Sequence, residues 1–80
     1  MARVLLFGRL SDVAGWRERV VAAPGSIASL RASLAAEDAE LGAALAGPGV
    51  QAAIDQVIVR GDAAIAPGAE VAFLPPMSGG

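Results

Sequence analysis

Residues 67–80 read PGAEVAFLPPMSGG: a turn, a short apolar run and an abrupt stop. Pro67-Gly68 has turn chemistry, because proline presets φ and glycine takes the left-handed position after it. Residues 70–75 then read as a β-strand with two apolar faces, Val71 and Phe73 on one and Ala72 and Leu74 on the other. Pro75 and Pro76 end it, since neither offers an N–H to a ladder and each pushes the preceding residue toward extended backbone. This is expected to be the last strand of the domain and to launch the chain outward. Beyond it Met77, Ser78, Gly79 and Gly80 form a four-residue tail that can reach about 13 Å when extended.

Working back from that strand, residues 3–10 form a second dense apolar run, in which Val4 and Leu6 oppose Leu5 and Phe7. Residues 16–23 alternate Arg17 and Arg19 with apolar neighbours, so two strands joined by a short loop are expected. Pro24-Gly25 breaks the pattern and Ser26 stands as an N-cap ahead of Ile27, Leu30 and Leu34, a helix expected to run to Glu37. Leu41 and Leu45 repeat the helical period over 40–46, where a short second helix or turn is expected before Gly47-Pro48-Gly49. Glu37, Asp38 and Glu40 would sit badly at the C-terminus of a helix, so either the first helix stops early or the second begins there. Residues 50–54 and 56–60 are short β-prone runs, closed by a Gly61-Asp62 turn.

A hairpin, a crossover helix, short strands and a final strand beside the first make an α+β fold. The expected architecture is one mixed sheet with one main helix on one face, and the β-grasp arrangement of ubiquitin is the smallest fold of that description. The domain is expected to occupy 1–76, with 77–80 as a flexible tail. One helix layer covers one sheet face, yet both faces are apolar. Part of the second face is then either an exposed partner surface or a face covered by loops, and the pattern leaves both open.

Composition narrows the chemistry. The chain has 80 residues, and 19 of its apolar ones are Ala, so the core rests on a short list of larger side chains. It contains neither Cys nor His, which removes disulfides, the usual nucleophile, the usual neutral-pH base and the usual zinc ligands. The six cations are all Arg, scattered without a basic stripe in a chain of net charge −2, which argues against nucleic acid. No apolar stretch approaches the roughly 18 residues of a membrane span, and a soluble cytoplasmic protein is expected. Asp12, Glu18, Asp55, Asp62 and Glu70 fall in turns and on strand edges, where solvated surface is the ordinary fate of a carboxylate. Ser26 is read as a helix cap rather than an anion site, and Trp16 as core or rim packing.

The tail has its own logic. Two terminal glycines are costly in a packed element, because their backbone has the most entropy to lose. In a narrow channel, however, their missing Cβ atoms let the backbone pass and bring the carboxylate to a bound nucleotide. A carboxylate must be activated before sulfur can enter, and an acyl-adenylate is the activated form that a sulfur nucleophile can attack. The stretches VLLFGRLSDVAG, SIASLRASLA and above all PGAEVAFLPPMSGG resemble the family of small, sulfur-carrying subunits of molybdopterin synthase over nearly the full length. Related ubiquitin-like sulfur carriers, for thiamine synthesis or transfer RNA thiolation, share the Gly-Gly end but usually lack Pro-Pro-x-Ser before it.

The resemblance implies that Gly80 is adenylated by an ATP-dependent enzyme related to the ubiquitin activators and converted to a thiocarboxylate with sulfur from a donor protein. Gly79 would permit threading, and Phe73, Leu74, Pro75, Pro76, Met77 and Ser78 would line the passage from sheet to partner. The implied partner is the synthase large subunit, in a heterotetramer that converts cyclic pyranopterin monophosphate to molybdopterin. No bound cofactor or metal is implied, and the lack of Cys suits a carrier that holds sulfur on its chain end. The family often has Asn at the place of Asp55 and Gly-Asp at that of Gly68-Ala69, which puts the polar turn contacts there in question. A carrier or modifier for another pathway, and a passive β-grasp interaction module, are the other readings.

Overall fold

The computed structural model describes residues 1–76. In chain order it forms β1 (Ala2–Leu6), α1 (Arg9–Ala14), β2 (Glu18–Val21), α2 (Ile27–Glu37), α3 (Ala39–Leu45), β3 (Gln51–Ile54), β4 (Val57–Val59) and β5 (Glu70–Leu74). The five strands make one mixed sheet in the order β2-β1-β5-β3-β4. β1 and β5 are parallel, with Leu6 opposite Phe73, while the other neighbouring pairs are antiparallel. This is the expected α+β, ubiquitin-like β-grasp architecture, and it puts β5 between β1 and β3.

The helices pack on one face because that face carries the larger side chains. Val4, Leu6, Val71 and Phe73 point from the sheet to Ile27, Leu30 and Leu34 of α2 and Leu41 and Leu45 of α3, all nearly inaccessible to water. Burying each such side chain contributes about 1.5–3 kcal/mol, so these nine residues dominate the core. The three α2 positions follow helical spacing, and the Ser26 hydroxyl accepts from the Ser29 N–H at 3.1 Å as the expected N-cap. Asp62 adds a second anchor: its Oδ1 accepts from the N–H groups of Ala28 and Ala63, both at 2.9 Å.

Two boundaries differ from expectation. The first strand ends at Leu6 rather than at residue 10, because Gly8 turns the chain at φ 55 and residues 9–14 form a helix where a loop was expected. Leu10 is buried, but from a helix. The second strand is shorter than 16–23, and Trp16 lies before it, half-buried against the core. The acidic cluster, by contrast, marks a real junction: α2 ends at Glu37, and Asp38 caps α3 by accepting from the N–H groups of Glu40 and Leu41.

Candidate functional site

β5 occupies the middle of the sheet, and its last residues emerge between the chain that follows β1 and the chain that precedes β3. The N–H of Phe7 donates to the carbonyl of Phe73 at 3.3 Å, and Leu74 stands opposite Gln51. The strand is thus held on both sides up to its last residue. Pro75 is half-buried and Pro76 exposed, so the chain reaches the surface within two residues of the core. Beside them an open groove of about 640 Å³ is walled by Leu10, Ala43, Ala44, Val50 and the two prolines, with Arg9 at its side.

The expected site residues separate by burial. Phe73 does not line the way out: it has no exposed surface, because the alternation of β5 turns its ring into the core. Leu74 faces the other way and is half-buried, and with Pro75 and Pro76 it forms the described part of the exit. Met77, Ser78, Gly79 and Gly80 lie outside the described residues. Arg31 of α2, which the sequence did not single out, holds its guanidinium carbon 5.6 Å from the centre of the Phe73 ring.

The outer sheet face is divided. At one end Arg3 pairs with Glu70 at 2.5 Å and approaches Glu18 at 3.5 Å. The hydrogen bond from Arg3 to Glu70, and then the negative charge of Glu18, hold the guanidinium above its already high pKa. Toward the exit the face becomes apolar. Register places Leu5, Ala72, Ala53 and Ile58 in one row across four strands, with Glu18 of β2 opposite Leu5; Ile58 is exposed, Leu5 half-buried and the two alanines buried among their neighbours. Phe7 is exposed beyond β1, next to the exit. The second apolar face is therefore left partly open rather than covered by loops.

Among the described residues the carboxylates that make side-chain contacts hold structure together. Glu18 and Glu70 bind Arg3, Asp38 and Asp62 cap helices, and Asp55 holds a turn. Among the described residues no group of three or more His, Cys, Asp or Glu side chains converges on a point that could hold a metal ion. None of the described helices is long and apolar enough to cross a membrane. Trp16 stacks under Arg19 at 4.3 Å, and Arg19 also binds Glu37. That arrangement matches the packing role expected of the Trp.

With this geometry in place, comparison with known proteins identifies the relatives. The ThiS family matches residues 4–80. A protein described as the molybdopterin synthase sulfur carrier subunit of Escherichia coli K12 is 35% identical over 81 aligned positions, covering all of both chains. The crystal structure of SAMP1 from Haloferax volcanii superposes with a TM-score of 0.79 at 24% identity, covering 99% of this chain and 98% of that one. A second structure, of the H. volcanii small archaeal modifier protein 1, gives a TM-score of 0.72 at 20% identity over 95% and 97% of the two chains. These two likenesses speak for the fold. The family match spans the core strands, the exit and the Gly-Gly end together, and on it the chain belongs to the ThiS family.

Proposed function

We propose that this chain is the sulfur-carrier subunit of a molybdopterin synthase. The observation that carries the reading is its 35% identity, over the whole of both chains, to a protein of that description. The fold supports it: the central strand ends at the surface in Pro75-Pro76, beside an apolar half-face that a partner could cover. In this reading residues 1–76 are the docking body and 77–80 the part that enters partner active sites.

The chemistry then belongs to Gly80. Its carboxylate attacks the α-phosphorus of ATP in the activating enzyme, releasing pyrophosphate and forming an acyl-adenylate. A sulfide-level sulfur nucleophile from a donor protein, released with a thiol reductant where the donor carries it as a persulfide, attacks the acyl carbon, displaces AMP and leaves a thiocarboxylate. In the large subunit two such carriers in succession each give one sulfur: the thiocarboxylate sulfur bonds to a carbon of cyclic pyranopterin monophosphate in exchange for an oxygen, and water cleaves the resulting thioester to restore the carboxylate on Gly80. Gly79 allows the approach because it has no Cβ. The subunit holds no cofactor of its own, uses the large subunit for catalysis in a heterotetramer, and works in the cytoplasm.

The test has two steps. Incubation with the activating enzyme, MgATP and a sulfur donor is expected to give an intact-mass gain equal to replacement of one oxygen by sulfur, confined to the C-terminal peptide. Absence of the gain would favour a passive interaction module. Adding the large subunit and cyclic pyranopterin monophosphate is then expected to yield molybdopterin. The ThiS family match is broader than one pathway, and a thiocarboxylate that forms without molybdopterin following would assign the carrier to another sulfur-transfer route.

A further inference from the structure

Two glycines from separate loops close on the prolines at the exit. β1 runs parallel to β5, with Leu6 opposite Phe73, so two residues further on Gly8 draws level with Pro75. β3 runs antiparallel, with Gln51 opposite Leu74, so two residues before it Gly49 draws level with Pro76. Gly49 has no room for a side chain, and at Gly8 one would fit only if the proline ring gave way. A Cβ on Gly49 would lie 2.7 Å from the Cβ of Pro76, closer than carbon atoms approach without displacement, and in ordinary contact with its Cα at 3.6 Å. A Cβ on Gly8 would lie 3.1 Å from the Cγ of Pro75. Both glycines have positive φ, 55 at Gly8 and 81 at Gly49. The prolines are thus held from both sides by bare backbone, after the hydrogen-bonded ladder has ended.

We propose that Gly8 and Gly49 are positioning residues, whose missing side chains let two loops seat Pro75 and Pro76 and so fix the direction in which the chain leaves the sheet. The inference rests on the sulfur-carrier reading for its purpose, since a directed exit matters to a chain whose end must reach another protein's nucleotide. Proline rings suit the seat because φ is fixed and little conformational freedom is left to lose. Gly49 is the firmer wall, because its close contact is with the Cβ of Pro76, an atom bonded directly to the backbone. The Gly8 contact is with a ring carbon that puckering can move.

The test separates the seat from backbone strain. Gly68 has φ 82 and nothing within 4 Å of where a Cβ would stand, so Gly68→Ala carries the left-handed strain without the contact. With each carrier as substrate of the activating enzyme, Gly49→Ala is expected to lower kcat roughly tenfold or more with little change in KM, because the docking body is intact and the chain end is misdirected. Gly8→Ala is expected to act in the same direction but less, and Gly68→Ala to leave kcat unchanged. In a Pro76→Gly background, which removes the clashing Cβ, Gly49→Ala is expected to have no further effect. Equal kcat values for Gly49→Ala and Gly68→Ala, or a full Gly49→Ala effect in the Pro76→Gly background, would overturn the proposal.

Thermal unfolding of the same four proteins of the Gly49 and Pro76 cycle decides the contact without any activity. Non-additive changes in Tm support the seat, and additive ones overturn it. If the unmodified carrier is not adenylated at all, the sulfur-carrier reading fails, while the unfolding cycle still judges the seat.

Discussion

Asp55 and Glu70 are joined by two hydrogen bonds, from the Asp55 N–H to the Glu70 carbonyl at 2.8 Å and from the Glu70 N–H to Asp55 Oδ1 at 2.9 Å. They tie the β3–β4 turn to the first residue of β5. Asp55 and Gln56 both have positive φ, 49 and 70, as a tight two-residue hairpin requires. Asp tolerates that region because its short side chain bonds locally. Asp55→Ala removes the acceptor and leaves a residue poorly suited to the turn, so a loss of about 1–3 kcal/mol is expected in denaturant unfolding. Asp55→Asn keeps both the acceptor and the tolerance, and is expected to retain wild-type stability. A neutral Asp55→Ala would show that the turn is held by other contacts.

Gly42 marks the tightest crossing of α2 and α3. A Cβ there would lie 2.5 Å from the Cβ of Ala35 and 2.8 Å from its Cα. Gly42→Ala would gain up to about 1 kcal/mol of helix propensity. Overpacking against a backbone atom costs about 1–3 kcal/mol, and no side-chain rotation relieves it. The net expectation is a lower unfolding midpoint, and a raised one would mean that the helices part without cost.

The strands and α2 were legible because each carries a local signal: the proline stop after β5, the alternation along β1 and β5, the Ser26 cap with apolar residues at helical spacing. Leu10 misled because an apolar run of that length reads the same in a strand as across a strand end and a helix start. The signal against it was Gly8, which the structure shows turning the chain. The acidic cluster around Asp38 was readable as a dipole conflict, and the structure resolves it as a cap. What no local pattern carried were contacts between distant segments. Arg31 over Phe73, Asp62 at the start of α2, and Gly49 against Pro76 exist only once the sheet register is set.

Phe73 is the largest fully buried side chain, and in a domain this small its loss is decisive. Phe73→Ala is expected to cost about 3–5 kcal/mol, comparable to the whole stability of such a domain, and to leave the chain largely unfolded by circular dichroism at 37 °C. Phe73→Leu keeps most of the volume and is expected to fold with a lowered Tm. Arg31→Ala tests the guanidinium over the ring separately, with a loss of about 0.5–1 kcal/mol expected. A well-folded Phe73→Ala would place the weight of the core on the helices rather than on β5.

Ile58, at the exposed end of the row Leu5, Ala72, Ala53 and Ile58, offers the contrasting case, a residue that contributes little to the domain itself. Ile58 is exposed on the edge strand, so Ile58→Lys removes little buried area and is expected to change Tm slightly. If the apolar half-face docks on a synthase large subunit, as the proposed function requires of some surface near the exit, the same substitution puts a charge into a desolvated contact. A charge buried without a partner costs several kcal/mol, so affinity for the large subunit by titration calorimetry is expected to fall at least tenfold. Val20→Lys is the matched control, since Val20 is exposed in the row with Arg3 and Glu70, at the charged end of the sheet. It is expected to bind normally. Equal losses from both substitutions would indicate a general effect of added charge, and no loss from Ile58→Lys would move the docking surface off this row.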